Sequence, residues 1–484
     1  MLTKTIKKVT FTCISLLMII SIISGCSFNK NETVNESTSS ISDTSYTSSI
    51  TESYNSLFKE NNIVDVNLSI SQSELNSMFT SDSTGEFHSA DIYINNECVS
   101  NVGICIKGNM SYRTVSSSDS NRYSFAVDFG KYQADNNYYG LNSIVLNNNS
   151  GDPSFLKEYI SYEMLKKINA PTPLCTFARL NINGEYFGLY TMVESPYNSG
   201  SFTQRIFGTN ENTDMYEAGI GSSFASEESL KNITLTSSNS ENSSDITSLY
   251  NAISNLNEDN YKSIENILDV DSFLKYVAGN VAFGSYDSYL SSQAQNYYLL
   301  HYNGKFYVIP WDYDKSFGGF EGDQGVSCAI KIDNPILDTT TNNLPLLKLI
   351  SYPEYQEKYY SYLKELTNYL DNIENRINTL ADLIRKDVTN DPTKLFTIEQ
   401  FENELVYSDS QIDTSNITFP IESHKGNTPK TSNNSSEGMA PPNKPNDKSF
   451  KSNNSEMTHS GNVSKVSLMT YAVKLRDNIK SQLS

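Results

Sequence analysis

The chain has 484 residues, with 56 acidic residues against 36 basic ones and a formal net charge of −20 at pH 7. This acidic balance argues against nucleic acid as a partner and against electrostatic docking on anionic lipid. Only four histidines and six cysteines occur. They show neither C-x-x-C nor H-x-x-H spacing, which excludes a zinc site, and no Ser-His-Asp arrangement is visible.

Residues 1–25 have the pattern of a bacterial lipoprotein signal peptide. Three lysines form a basic start, an apolar run follows, and small residues precede Cys26. The run is too short for a spanning helix, and its ending is similar to a lipobox. We therefore expect Cys26 to be lipidated and to anchor the protein outside the cytoplasm, with a plain cleaved secretory signal as the alternative. Residues 26–56 are rich in Ser, Thr and Asn and predict a disordered tether.

Residues 57–484 are long enough for two lobes or for one large domain. Their first part predicts a compact, mainly antiparallel β unit, with strands at 63–69, 89–94, 97–107 and 123–129 and a short helix at 71–78. Lys107 ends one strand, and Gly108 would let the backbone turn sharply so that the lysine meets a phosphate. A solvated surface lysine is the alternative, and Arg122 and Lys131 are weaker candidates for a phosphate contact.

A helix is predicted over residues 152–168, with Pro153 at its first position, where the missing N–H does no harm. An apolar stripe at helical spacing defines its buried face, and Glu158 lies off that stripe. A second hairpin then turns at Asn183-Gly184, and its last strand ends at Glu194.

The second part of the chain is predicted to be mostly helical. Residues 201–260 are polar and, beyond a short strand near Met215, are interpreted as an insertion. Helices are predicted from residue 270 to about 287, and at 352–386, 398–407 and 465–483. Residues 423–464 have low complexity and predict a flexible loop.

The most informative stretch runs from residue 286 to residue 319. Asn303-Gly304 lies between two aromatic-rich runs, which is a strong hairpin signal. Asp287 comes before this hairpin, Asn296 starts it, and Asp312 and Asp314 follow its end. Acidic side chains at a strand end suit a hard cation and a phosphate, whereas ordinary turn capping is the alternative reading.

This stretch resembles the signature of the spore coat protein H (CotH) kinase family: an Asp, then N-Y-Y-L, then I-P-W-D-Y-D-x-S-F-G. The similarity continues in GICIKGNMSYR, LNNNSGDPSFLKEYISYEML, FARLNINGEYFGLYTMVES and LMTYAVKLRDNIKSQL, and together these blocks span most of residues 62–484. The resemblance implies an α+β fold of the atypical, highly diverged protein-kinase type. That fold would have two lobes, an antiparallel β-rich N-lobe at about 57–195 and a helical C-lobe at about 196–484, with the hairpin as a central metal site.

The resemblance also implies transfer of the ATP γ-phosphoryl group to Ser or Thr of a protein substrate such as a surface or coat protein. Asp287 would orient or deprotonate the attacking hydroxyl. Mg²⁺ or Mn²⁺ would be held by Asn296, Asp312 and Asp314. The nucleotide-binding set would be Lys107, Glu158 as its partner on the helix, and a hinge at Glu194.

Two features depart from ordinary kinases. Asp287 and Asn296 are nine residues apart with no H-R-D before the Asp, and Tyr-Asp stands where D-F-G has Phe-Gly. A non-catalytic adhesion or scaffold lipoprotein is therefore the alternative, favoured by the scarcity of ATP outside the cytoplasm. Glycan binding is a third reading, suggested by 32 tyrosines.

Overall fold

The computed structural model describes residues 54–80, 84–197, 200–240, 246–321, 323, 325–337, 343–413, 417 and 465–484. The predicted signal peptide, the lipidation at Cys26, the tether as far as residue 53 and the loop at 423–464 lie outside these residues. Within the described part of the chain, no helix has both the length and the apolar character needed to cross a membrane.

Seven strands close into a barrel. Their bounds are β1 Ile63–Ser69, β2 His88–Ile94, β3 Glu97–Lys107, β4 Ser124–Asp128, β5 Ser143–Asn147, β6 Cys175–Ile182 and β7 Glu185–Glu194. The order around the barrel is β1-β2-β3-β4-β5-β7-β6, and these neighbours are all antiparallel. β1 closes the ring by pairing in parallel with β6, with Val66 opposite Leu180. Alternate residues point inward, so Val64, Val66 and Leu68 are buried in the barrel core.

Four further strands form a second, fully antiparallel sheet. They are β8 Thr213–Ala218, β9 Ile233–Ser238, β10 Tyr297–Tyr302 and β11 Lys305–Pro310, in the order β11-β10-β8-β9. The predicted hairpin is confirmed, because Asn303 and Gly304 join β10 to β11 with φ values of 50° and 77°. Both angles are positive, as a two-residue type I′ hairpin turn requires.

Ten α-helices occur in the described residues. They are α1 Gln72–Thr80, α2 Met110–Ser116, α3 Lys157–Lys167, α4 Gly200–Phe207, α5 Ile246–Ser254, α6 Val270–Ala282, α7 Pro353–Leu370, α8 Ile373–Asn390, α9 Ile398–Glu404 and α10 Leu468–Leu483. The long helices and the second sheet share one apolar core, which also packs on the outside of the barrel through Phe177 and Leu189. A separate core fills the barrel.

The predicted two-lobed, kinase-like fold is wrong. Residues 57–195 form a closed barrel instead of an open β-rich lobe, and the remainder contributes a four-stranded sheet as well as helices. The barrel closes because residues 63–68 of β1 pair with residues 177–182 of β6. This pairing gives hydrogen-bond partners to two strands that would otherwise be exposed edges. The hairpin is not central in its sheet either, since β11 is the outer strand.

Three predicted elements differ from the structure. The helix predicted from residue 152 begins at Lys157, because Phe155 has φ of 60° and interrupts any earlier helical turn. The helix predicted over 352–386 is two helices that break at Asp371 and Asn372. The presumed insertion at 201–260 contains α4, β8, β9 and α5, so it supplies half of the second sheet.

Candidate active site

A cavity of about 930 Å³ lies between the outer face of the barrel and the second sheet. Its barrel side is lined by outward-facing residues of β3, β4 and β5, which include Lys107 and Asn147. Its other side is lined by the hairpin and its flanks, with Asp287, Asn296 and Asp312. The volume falls in the range of ordinary small-ligand sites. The fold therefore brings Lys107 together with the acidic hairpin, although 180 residues separate Lys107 from Asp287.

Lys107 is the last residue of β3, and Gly108 follows with φ of 90°. This left-handed conformation confirms the sharp turn that was predicted there. The Lys107 ammonium donates to Asn147 Oδ1 at 2.8 Å, and its Nζ lies 5.5 Å from the ring centre of Trp311. The lysine is thus held between a strand of the barrel and the residue before Asp312.

Glu158 is 1% exposed and sits behind Asn147 in the first turn of α3. Asn147 Nδ2 lies 2.9 Å and 2.8 Å from its two carboxylate oxygens. Burial raises the pKa of Glu158 to about 8, and the charge of Asp312 adds to this, while the hydrogen bond from Asn147 acts in the opposite direction. The predicted partners Lys107 and Glu158 are therefore linked through an amide, and Glu158 itself does not line the cavity.

Asp287 is 7% exposed and follows α6 by a short turn. Gln295 donates to its Oδ1, Lys315 Nζ lies 3.5 Å from its Oδ2, and Asn296 Nδ2 donates to its backbone oxygen at 2.8 Å. Burial raises the pKa of Asp287, and Lys315 and Gln295 counteract this rise. The carboxylate is fixed from two directions while it still faces the cavity.

Asp312 and Asp314 flank the buried Tyr313 just after β11. Asp312 has φ of 62°, and its backbone N–H donates to the Tyr162 hydroxyl at 3.3 Å. Burial raises the pKa of Asp314 to about 7, and repulsion from Asp312 reinforces this shift. Asn296 also has a positive φ, of 59°. Asn and Asp are the residues other than glycine that most readily adopt this left-handed conformation.

The chemistry of this donor set fits a hard divalent cation that is shared with phosphate. A cation between the two carboxylates would stabilise the ionised form of Asp314, which burial and the charge of Asp312 disfavour, and Asn296 retains a carbonyl oxygen for coordination. Among the described residues, no group of three or more His, Cys, Asp or Glu side chains is arranged to hold a metal ion. The protein would therefore supply one or two carboxylates, and phosphate oxygens would complete the coordination, as Mg²⁺ prefers.

Glu194 does not join this site. Its carboxylate pairs with Arg205, accepts from the Tyr54 hydroxyl at 3.1 Å and accepts from the Leu174 backbone N–H at 3.2 Å. The adjacent Ser195 does line the cavity. Glu194 thus fixes the end of β7 from behind the cavity wall.

The two weaker phosphate candidates lie elsewhere. Arg122 is fully buried in an ion pair with Asp391 at 2.7 Å. Lys131 stacks its ammonium over the ring of Phe87 at 4.4 Å. Neither of them lines the cavity, so Lys107 and Lys315 are its lining cations.

The lining residues that the sequence analysis did not identify include Asn147, Gln295, Lys315 and Glu217. Asn147 follows an apolar strand in the run Asn147-Asn148-Asn149, which gives no sign of which asparagine faces the site. Gln295 and Lys315 each lie one residue from a predicted site residue, and that adjacency is the signal that could have found them. Glu217 lies on β8 opposite Tyr298 of β10, and only the pairing of the two strands in the sheet shows that it lines the cavity.

The sequence profile of the CotH kinase protein family matches residues 104–415, which is well over half of the chain. The chain belongs to the CotH kinase protein family. Within the matched range lie Lys107, Asn147 and the whole acidic hairpin. The inner spore coat protein H of Bacillus subtilis strain 168 is 25% identical over 309 residues, which cover 61% of this CotH-family chain and 81% of that relative. The predicted family is therefore confirmed.

Proposed function

We propose that this CotH-family protein transfers the γ-phosphoryl group of ATP to Ser or Thr side chains of a protein substrate. One observation carries the proposal: a single cavity of ligand size collects a lysine from the barrel and Asp287, Asn296, Asp312 and Asp314 from the hairpin region. Phosphoryl transfer depends on positioning and on charge neutralisation, and this set of residues can supply both.

In this proposal, Asp287 receives the proton of the attacking hydroxyl. Its carboxylate faces the cavity and is oriented by Gln295 and Lys315. Burial raises the pKa of Asp287, and the ammonium of Lys315 counteracts this rise. A hydroxyl held within hydrogen-bonding distance of Asp287 would pass its proton to this carboxylate as its oxygen forms the new O–P bond, while the bond from the γ-phosphorus to the bridging oxygen breaks and ADP leaves.

The phosphate end of ATP would lie between Lys107 and the two acids after β11. Lys107 would pair with phosphate oxygens across the cavity from the hairpin. Asp312, Asn296 and Asp314 would hold Mg²⁺ or Mn²⁺, which when bound neutralises charge on the phosphates. The backbone N–H of Asp312 donates a hydrogen bond to the Tyr162 hydroxyl, and the side chain of Tyr313, between the two acids, is buried. These contacts hold Asp312 and Asp314 in place.

We further propose that the protein acts outside the cytoplasm, anchored to the membrane by lipid on Cys26. The support comes from the lipobox-like sequence that ends at Cys26 and from the relative, which is named as an inner spore coat protein. The substrate would then be a surface or coat protein.

The proposal is tested by calorimetric titration of the protein with ATP plus Mg²⁺, with ATP alone and with Mg²⁺ alone. A γ-phosphate transfer assay on casein would run in parallel. We expect binding that requires both components, followed by transfer to Ser or Thr. Absence of ATP binding at millimolar Mg²⁺ and Mn²⁺ would refute the proposal and favour a surface adhesion or scaffold protein.

A further inference from the structure

Asn147 occupies the position between Lys107 and Glu158 and touches both of them. Its Oδ1 accepts from Lys107 Nζ at 2.8 Å, and its Nδ2 lies within 2.9 Å of both carboxylate oxygens of Glu158. Asn147 is 5% exposed, and Glu158 is more deeply buried still. The three side chains therefore form one continuous chain of hydrogen bonds from α3 to the cavity.

The amide is the chemical group that can join these two partners. A lysine ammonium only donates hydrogen bonds, whereas an asparagine amide accepts at its oxygen and donates at its nitrogen, so Asn147 can bond to the ammonium on one side and to Glu158 on the other. Because both Glu158 oxygens lie on the Nδ2 side, the carbonyl side of Asn147 is turned toward Lys107. Glu158 thus fixes the orientation of the amide, and the amide fixes the ammonium.

The backbone holds this bridge rigidly. Asn147 is the last residue of β5 and pairs with Thr191 on β7, and its neighbour Leu146 points into the barrel core. Glu158 lies on α3, one helical turn before Tyr162, whose hydroxyl accepts from Asp312 N–H. The same helix therefore supports both the lysine side and the acidic side of the cavity.

We infer that Asn147 is a positioning residue, which sets Lys107 toward the phosphates of the nucleotide and couples it to Glu158. This inference rests on the proposed phosphoryl transfer. It assigns Asn147 no contact with the substrate, and its effect should pass through the lysine.

Four variants test the inference: Asn147→Leu, Asn147→Asp, Glu158→Gln, and the last two combined. Asn147→Leu removes the hydrogen bonds to Lys107 and to Glu158. Asn147→Asp alone places its carboxylate against that of Glu158. The combined variant reverses the direction of the inner hydrogen bond, because the glutamine can donate to the new carboxylate, and it leaves the net charge unchanged. Asn181→Leu is the matched control, since Asn181 is a strand asparagine of β6 that does not line the cavity.

We expect Asn147→Leu to raise the KM for ATP and to lower kcat/KM by at least roughly tenfold, the effect of losing one charge-assisted hydrogen bond. Each single polar variant should also be impaired, and the combined variant should recover most of the loss, while Asn181→Leu behaves like the wild type. Wild-type kinetics in Asn147→Leu, or a combined variant no better than its singles at equal thermal stability, would overturn the inference.

A second measurement keeps the inference separate from the proposed function. The rate at which acetic anhydride acylates Lys107, followed by mass spectrometry, reports on the lysine without nucleotide. We expect Lys107 to be acylated roughly tenfold faster in Asn147→Leu than in the wild type, because its ammonium loses the hydrogen bond to Asn147 Oδ1. If the wild type binds no ATP, the proposed function fails, and this rate alone decides: an unchanged rate refutes the positioning role, and a faster one supports it.

Discussion

Lys315 Nζ lies 3.5 Å from Asp287 Oδ2, so Asp287 has a counter-charge beside it inside the cavity. Burial raises the pKa of Asp287 and Lys315 lowers it again. The two residues are 28 positions apart and come from opposite ends of the hairpin. In the proposed mechanism, their contact sets the pH range in which Asp287 can act as a base.

Replacing Lys315 with methionine should therefore shift the acidic limb of the pH–rate profile to higher pH. Without the ammonium, the pKa of Asp287 rises, and a larger share of the enzyme is protonated and inactive at low pH. The loss of kcat/KM should be larger at pH 6 than at pH 8. Lys331→Met, which removes an exposed lysine, is the control. A parallel drop at all pH values would show that Lys315 acts on something other than Asp287.

Asp287→Asn and Asp312→Asn should both abolish transfer, but by different routes. In the proposed mechanism Asp287 acts on the hydroxyl, so Asp287→Asn should lower turnover by about 10²–10⁴ and spare ATP binding. Asp312 is the proposed cation ligand, so Asp312→Asn should also weaken Mg²⁺-dependent ATP binding.

Calorimetry with ATP and Mg²⁺ next to a transfer assay separates these two routes, and Asp382→Asn on the exposed face of α8 is the control. Equal loss of ATP binding in both variants would remove the distinction between a base and a cation ligand.

The local sequence pattern predicted most of the site, because its acids cluster around one hairpin. Asp287, Asn296, Asp312 and Asp314 all line the cavity, and the turn at Asn303-Gly304 has the backbone that these residues favour. Such features depend on neighbours within a few positions. The turn signal and the family motif lie in the same short stretch.

What could not be predicted depends on contacts between distant parts of the chain. The parallel pairing of β1 with β6 joins residues 114 positions apart, such as Val66 and Leu180, and no local pattern marks it. The side-chain contacts of Glu194 could not be predicted for the same kind of reason, since its ion-pair partner Arg205 comes from the next helix. Asn147 was overlooked because its role requires Lys107 and Glu158 to meet across two elements.

Cys26→Ser should abolish fatty-acid labelling of the full-length protein and release it from the membrane fraction or leave it unprocessed. The reason is the small-residue ending that precedes Cys26, which is similar to a lipobox. Cells grown with radiolabelled palmitate provide the measurement, and Cys98→Ser, at an exposed free cysteine of β3, is the control. Equal label on wild type and Cys26→Ser would contradict lipidation at this residue.

Breaking the Arg122–Asp391 ion pair should strongly destabilise the domain, although the pair does not line the cavity. Both side chains have no exposed surface, and Asp391 also accepts from the Leu189 backbone N–H at 2.9 Å. Asp391→Ala would leave a buried arginine without its partner, which costs about 3–5 kcal/mol. Urea unfolding measures this loss. The matched substitution Asp382→Ala, on an exposed pair with Arg385, should cost less than about 1 kcal/mol. Similar losses in the two variants would contradict the role assigned to the buried pair.

Glu404 should make the domain less stable as the pH rises from about 4.5 to about 7. Its carboxyl is buried at the end of α9 and accepts a hydrogen bond from the backbone N–H of Leu468 at 2.8 Å. Leu468 is the first residue of α10, so this hydrogen bond satisfies a free donor at the start of that helix. Burial raises its pKa from 4.5 to about 7, while Lys157 acts in the opposite direction. In this window the folded state keeps a proton that the unfolded state has released, so the free energy of unfolding falls with rising pH.

Glu404→Gln should remove this part of the pH dependence, because a neutral amide can still accept from Leu468 and cannot titrate. The difference in Tm between pH 5 and pH 8 should shrink relative to the wild type, with the gain appearing at pH 8. Glu399→Gln, at an exposed position of the same helix, should leave the difference unchanged. Identical Tm profiles for the wild type and Glu404→Gln would show that the buried carboxyl is ionised throughout this range, with its charge balanced by Lys157.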